Sequence, residues 1–418
     1  MSIENGMSRR NFLSGAAVAG AAIAGMTGLS ACSPSASSSK SDAKADTKAA
    51  ATGETTMGFD GTGAMPWLGE KPQISDSDVE ETVDADVVVV GLGCAGVPAA
   101  RAAAEAGAKV VALEASPKLN SVASDMAIFG GQTQAKWGRG DGYMDKKTVV
   151  NMHMEEGSHH VNQSIMSTYY DNSGEALDWF ISASKNLYIA PESYAEIPTE
   201  SQKNYMYPYM YPMPDTYDYT KEDLPCYPTS VGFSSLATVQ ADNLQVAVDA
   251  GADVRYETKG VELIQDSDGA IAGIYAQKNG SEKYIKINAK AVIIATGDYL
   301  ANEDMMKFYA PQCVENGIQI LSLDMDADGN YTNVGDGHKM GAWAGAHIEQ
   351  WHAPMIHHMG GGAGADGRGV IGNNGFLWLN LRGERFMNED LPGQQLENQV
   401  ELQPERKAYQ FFDASWPE

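Results

Sequence analysis

The sequence predicts an α/β fold organised around a buried parallel sheet, and three observations predict it. Asp86-Val87-Val88-Val89-Val90 is an unbroken β-branched run, the composition of a strand buried on both faces. It leads directly into Gly91-Leu92-Gly93-Cys94-Ala95-Gly96, and the Ala-rich stretch from Val97 to Ala106 is helical by propensity. Gly107 ends that helix, and Lys109-Val110-Val111-Ala112-Leu113 is the next strand, closed by Glu114. Strand, glycine turn, helix and strand make the unit of a doubly wound, Rossmann-type sheet.

Each part of this unit has a physical task. Gly91 permits the tight turn, Gly93 lets a pyrophosphate approach the backbone, and Gly96 packs the helix against the strand. The helix N-terminus offers free N–H groups and the positive end of its dipole to phosphates. Glu114 lies 21 residues beyond Gly93, where a carboxylate accepts ribose hydroxyls. A lone glycine pattern is weak, but here the strand, the helix and the acid all stand at the required distances.

The chain beyond Glu114 departs from a plain NAD domain. Ser124-Asp125 and Gly130-Gly131-Gln132-Thr133 form a polar, glycine-bearing loop. A helix is expected from Asn243 to Ala250 and a strand from Asp253 to Glu257. Val261 to Gln265 and Ala270 to Ala276 flank Asp266-Ser267-Asp268-Gly269, a hairpin signal. Ala291 to Ala295, followed by Thr296-Gly297, reads as a second buried strand.

These motifs, with Asn333-Val334-Gly335-Asp336-Gly337 and the run from Asn380 to Glu389, occur in a family-like order. They resemble the FAD-binding domain shared by flavocytochrome c-type fumarate reductases, urocanate reductases, succinate dehydrogenase flavoprotein subunits and 3-ketosteroid dehydrogenases. The resemblance runs from about residue 83 to 415. It implies FAD as cofactor, a parallel sheet with a β-hairpin insertion over 83–354, and the start of an α+β capping domain over 355–418. It also implies cofactor contacts. Ala95 in the glycine loop would touch the pyrophosphate, Glu114 would hold the adenosine ribose, and Thr296-Gly297 would border the cofactor. Ser124 and Asp125 stand where the family usually has Asn-Ala. Gly130 and Gly131 would pass close to the flavin, and Val261 would present its backbone to the adenine. Asp336 would lie near the cofactor; its other reading is a turn residue in an Asp-Gly pair.

On the substrate side the family pattern breaks. The family's carboxylate-binding histidine corresponds to His357, 21 residues past Asp336, but the proline expected next is His358. His347, His352, His357 and His358 could suggest a metal, yet no Cys or carboxylate joins them at a recognised spacing. Packed or solvated histidines are the other reading. The run containing Arg385 and Glu389 resembles the family's strand–turn–strand, and the two can also be a purely architectural pair. Four residues beyond Glu389, where fumarate reductases place a proton-donating arginine, stands Gly393. The relay positions leading to it fall near Gly369 and Gly372, and Arg368 is close but off register. A glycine cannot transfer a proton. Tyr205 to Pro212 is rich in aromatics and proline, fit either to line a pocket for a planar substrate or to pack as an irregular arm.

Tyr409 to Asp413 resembles a strand in the middle of the family's cap, and there the sequence stops. The family chain continues, finishes the cap and returns to the FAD domain with a Gly-Glu segment. A truncated product, or a remainder supplied by another chain, is the expectation.

The N-terminus reads as an address. Ser8-Arg9-Arg10-Asn11-Phe12-Leu13 is a twin-arginine export pattern, and Leu29-Ser30-Ala31-Cys32 is a lipobox placing an acyl anchor on Cys32. The competing reading is a membrane span, which needs about 20 apolar residues and is poorly served by so much Gly and Ala. Residues 1–31 are thus a signal peptide and 32–82 a tether and linker, of low complexity through 56. The net charge of −26 argues against binding phosphate backbones of nucleic acids. Cys32, Cys94, Cys226 and Cys313 include no CxxC or CxxCH, so the chain carries no haem of that attachment type.

The expected function is an exported, lipid-anchored FAD oxidoreductase, bound to the outer face of the cell membrane. It would transfer hydride between flavin and an activated C=C or CH–CH bond of a small molecule. A haem or quinone-linked partner would supply electrons. The alternatives are a 3-ketosteroid dehydrogenase-like enzyme using a tyrosine acid, or an inactive lipoprotein.

Overall fold

A computed structural model of the chain describes residues 65–120, 125–136, 145–157, 159, 161–191, 196–208, 230–315, 317, 325–349, 377–389 and 399–411. All of them fall in one compact unit, Gly53–Glu418. Residues 1–64, with the Arg9-Arg10 pattern and Cys32, lie outside the described residues, as do Ser124, Cys226, His352, His357, His358, Arg368, Gly369, Gly372 and Gly393.

The first sheet joins β1 (Val79–Asp84), β11 (Tyr284–Asn288), β10 (Ile271–Lys278) and β9 (Thr258–Gln265) in that spatial order. Its β9–β10 pair is the expected hairpin around Asp266–Gly269. The second sheet is wholly parallel, in the order β12 (Ala291–Ile294), β2 (Val87–Val90), β3 (Val110–Leu113) and β8 (Asp253–Arg255).

The valine run forms β2 because both of its faces are buried. Val88 and Val90 pack with Leu263, Ile274, Ile287 and Met340 on one side. Val89 packs with Val97, Ala100, Ala104, Leu244 and Ala247 on the other. The second set comes from helices α1 (Gly96–Glu105) and α5 (Leu236–Asp249). In α1 the buried positions 97, 100, 101 and 104 form one helical stripe.

A third sheet, β4 (Asp125–Ala127), β7 (Ser230–Phe233), β6 (Tyr205–Pro208) and β5 (Tyr188–Ile189), is covered by α4 (Gln163–Ile181). Before α4 come α2 (Gly131–Lys136) and α3 (Lys146–Glu156). Past the parallel sheet come α6 (Glu303–Tyr309), α7 (Pro311–Glu315) and α8 (Asp336–Trp343). A separate two-stranded sheet pairs β13 (Leu377–Asn380) with β14 (Ala408–Phe411). Among the described residues no helix is long and apolar enough to cross a membrane.

Three sequence expectations change. The linker expected through residue 82 packs from Trp67 onward. Trp67 is only 3% exposed and meets Tyr309, and Lys71 pairs with Glu262 at 3.0 Å. Val79–Asp84 then adds a strand parallel to β11. The strand 291–294 was expected to be buried, yet among the described residues it forms the sheet edge, paired with β2 alone, and Ile293 and Ile294 are exposed. Part of the tyrosine-rich arm is regular structure: Tyr205–Pro208 is a central strand, with Met206 fully buried and the Tyr207 ring against Gly232.

Candidate functional site: a dinucleotide cavity at the carboxyl ends of the parallel strands

The parallel strands β2, β3 and β12 end at one cavity of about 100 Å³. Its lining includes Gly91, Leu92 and Gly93 after β2, Glu114 and Ala115 after β3, and Thr296 and Gly297 after β12. Ligands of open α/β sheets bind at this end of the strands. A second cavity of about 170 Å³ adjoins it, sharing Ala115, Lys259, Thr332 and Asp336.

The glycines of the loop differ in what they do. Gly91 has φ +94°, and a Cβ there would overlap the Ala295 carbonyl at the end of β12. A Cβ on Gly96 would run into the Gly91 carbonyl, so this glycine sets the close approach of helix to turn. At Gly93 a Cβ would meet nothing, leaving the backbone open toward the cavity. Helix α1 starts at Ala95 with no side-chain cap. Its dipole and unsatisfied N–H groups are therefore available to an anion. These features fit a diphosphate.

Glu114 accepts hydrogen bonds from the Leu92 N–H and the Ser116 N–H, both at 2.8 Å. The carboxylate thus ties the glycine loop to the end of β3 while lining the cavity. Asp336 begins α8 and lines both cavities. Burial pushes its carboxyl above the usual range, and the charges of Lys259 and Lys339 partly oppose this. Gly335 precedes it in the left-handed region, and a Cβ on Gly337 would overlap the Thr296 hydroxyl. The Asn-Val-Gly-Asp-Gly run therefore delivers a carboxylate to the cavity and lets α8 sit against the end of β12.

Other expected contact residues do not line these two cavities. Val261 is half-buried in β9 and does not line either cavity; Thr258, Lys259 and Gly260 of the same strand line the first one. Ala95 is exposed at the start of α1, outside both linings. Asp125 opens β4 and pairs with Gly232, away from both cavities. Gly130 and Gly131 pack against α4: a Cβ on Gly131 would run into the Gly174 carbonyl and one on Gly174 into the Gly130 carbonyl, whereas a Cβ on Gly130 would meet nothing. The Asp178 carboxylate accepts from the Thr133 N–H at 2.9 Å and from Gln132, capping α2. The glycine pair thus has a local packing role, and it lines neither cavity.

Lys259, Ala115 and Thr332 line the site without having been singled out in the sequence. Thr332 directly precedes the Asn333–Gly337 run and Lys259 lies two residues before Val261, but neither belongs to the pattern that marks those positions. Among the described residues, no group of three or more His, Cys, Asp or Glu side chains is placed to hold a metal ion.

The family described as FAD binding domain matches residues 86–415, most of the chain. The chain belongs to this family. The cofactor of the chain is FAD, and the flavoprotein fold expected from the sequence is the one observed. Its relatives include a urocanate reductase from Eggerthella lenta, 26% identical over 362 residues, covering 84% of this chain and 54% of the relative. A fumarate reductase (cytochrome) from Shewanella frigidimarina is 24% identical over 376 residues, covering 84% and 55%. This flavoprotein chain thus spans about half the length of the curated relatives it matches. The open conformation of a flavocytochrome c3 fumarate reductase superposes with a TM-score of 0.54 at 21% identity, covering 84% of this chain and 57% of that one. A 3-ketosteroid-Δ4-(5α)-dehydrogenase from Rhodococcus jostii gives 0.53 at 18% identity, covering 80% and 67%. At these identities the superpositions speak for the fold alone.

Proposed function

We propose that this flavoprotein is an oxidoreductase acting on an activated C=C or CH–CH bond of a small molecule. The observation that carries the reading is the glycine-loop cavity with Glu114 and Asp336 in its walls, in a chain of the FAD-binding family whose relatives include reductases of fumarate and urocanate. When bound, FAD supplies hydride transfer to or from such a bond. The chain's own residues hold and orient it. The backbone at Gly93 and the start of α1 receive the diphosphate, Glu114 receives the ribose hydroxyls, and Asp336 offers a further carboxylate. His357 is the substrate-facing candidate, and the positions corresponding to the family's acid relay hold Gly393, Gly369 and Gly372.

The reading further includes export through the Arg9-Arg10 signal, acylation at Cys32, attachment to the outer face of the cell membrane, and a haem or quinone-linked electron donor.

The test is purification of the full chain with FAD, followed by oxidation of reduced viologen by a panel of activated alkenes: fumarate, urocanate and a steroid enone. Turnover of one of them supports the reading, and bound flavin that none of them reoxidises counts against it. Fumarate is expected to fail. Loss of a general acid costs about 10²–10⁴-fold. Robust fumarate reduction would instead move the acid to Arg368 or Arg382.

A further inference from the structure

The cavity walls pose a charge problem. FAD carries an anionic diphosphate, the protein carries a net charge of −26, and the described side chains lining the glycine-loop cavity include two carboxylates, Glu114 and Asp336. An anion in a partly desolvated site needs opposite charge near it. The α1 N-terminus supplies about half an elementary charge. Among the described residues lining this cavity, the single cationic side chain is Lys259.

Lys259 is placed for this task by the strand that carries it. β9 follows β8 and the turn at Glu257, and packs against β3. At the next position Gly260 has no side chain; a Cβ there would crowd Val90 and Ile274. This lets the β9 backbone come close to β2 just where the glycine loop begins. Lys259 therefore lines both the glycine-loop cavity and the larger one beside it. It is exposed, and no ion pair or hydrogen bond engages its ammonium among the described residues. Lys71, in the segment before β1, is by contrast committed to Glu262 of β9. The influence of Lys259 on the Asp336 carboxyl agrees with its charge reaching the cavity.

We propose that Lys259 is the counter-charge for the diphosphate of the bound FAD, acting together with the N-terminus of α1. This rests on the FAD assignment made above. Its long, flexible stem lets the ammonium move onto a phosphate oxygen when the cofactor enters. The residue is a binding and positioning residue and makes no contact with the reacting bond.

The test is calorimetric titration of the full-length apo-protein with FAD, ADP and adenosine, for the wild type, Lys259→Met and Lys259→Arg. In Lys259→Met, FAD and ADP should each bind about tenfold more weakly, the scale of a lost charge-assisted hydrogen bond. Adenosine, which lacks phosphate, should bind the methionine variant as it binds the wild type. Arginine should restore most of the FAD affinity. An unchanged FAD affinity in Lys259→Met overturns the proposal, and so does an equal loss for adenosine. A wild type that binds none of the three would instead overturn the FAD assignment itself. Circular dichroism of the methionine variant separates lost binding from lost fold.

Discussion

Glu114 does two jobs with one carboxylate. It bonds the Leu92 and Ser116 N–H groups and remains in the cavity wall. Glu114→Ala should therefore weaken FAD binding by about 1–3 kcal/mol and loosen the glycine loop as well. Flavin retention on gel filtration measures the first effect and amide exchange at Leu92 the second; unchanged retention would remove Glu114 from the site. Gly96→Ala tests the loop from the helix side. The new methyl has no room against the Gly91 carbonyl, so the helix must move off the strand. Overpacking of this kind costs about 1–3 kcal/mol, and the variant should melt earlier and hold flavin poorly.

At the scale of elements, helices α1, α4 and α5 are knotted by one buried cation. The Arg101 guanidinium donates to the Asn243 Oδ1 at 2.7 Å and the Trp179 carbonyl at 2.8 Å, pairs with Glu105 at 3.0 Å, and lies 4.1 Å from the Trp179 ring centroid. Arg101→Met removes a donor from buried acceptors, so a loss of about 2–4 kcal/mol in unfolding free energy is expected. Denaturant titration measures it, and a loss within about 0.5 kcal/mol, the range of an ordinary surface change, would deny the knot.

The β13–β14 sheet has its own electrostatic anchor. Arg385 bonds the Glu389 carboxylate, which also accepts from the Trp378 N–H, and together these hold Glu389 down at about 2 despite the opposing effect of burial. A carboxyl lowered on folding contributes stability above its unfolded value of 4.5, and that contribution is lost as pH falls through about 2. Acid titration of Trp378 fluorescence, isolated against Trp378→Phe, should show loosening within this window. Glu389→Gln should remove the dependence.

For the whole molecule, the proposed export and membrane attachment rest on the Arg9-Arg10 pair and Cys32 of the sequence. Arg9→Lys with Arg10→Lys should trap precursor inside the cell, and Cys32→Ala should abolish acylation. Labelled fatty acid still incorporated into Cys32→Ala would defeat the lipobox reading. The same scale carries the charge balance: an acidic protein holding an anionic cofactor depends on a few local donors, which is why Lys259, the one cation among the described residues of the cavity wall, matters.

What is local in the chain was legible from its residues alone. The Val87–Val90 run, the glycine turn, the alanine-rich helix and Glu114 lie within 28 residues, so periodicity and spacing read them together. The hairpin around Asp266–Gly269 was legible for the same reason. Tertiary structure decided whatever depends on distant segments meeting. It placed Lys259 and Thr332 in the cavity and kept Val261 out of its lining, at the point where the β9–β10 register shifts between Gly260 and Glu262. It turned Gly130 and Gly131 toward Gly174 of α4, and it recruited Val79–Asp84 from an expected linker to complete a sheet. Such pairings cost chain entropy that burial must offset, and no motif in the segments themselves announces that balance.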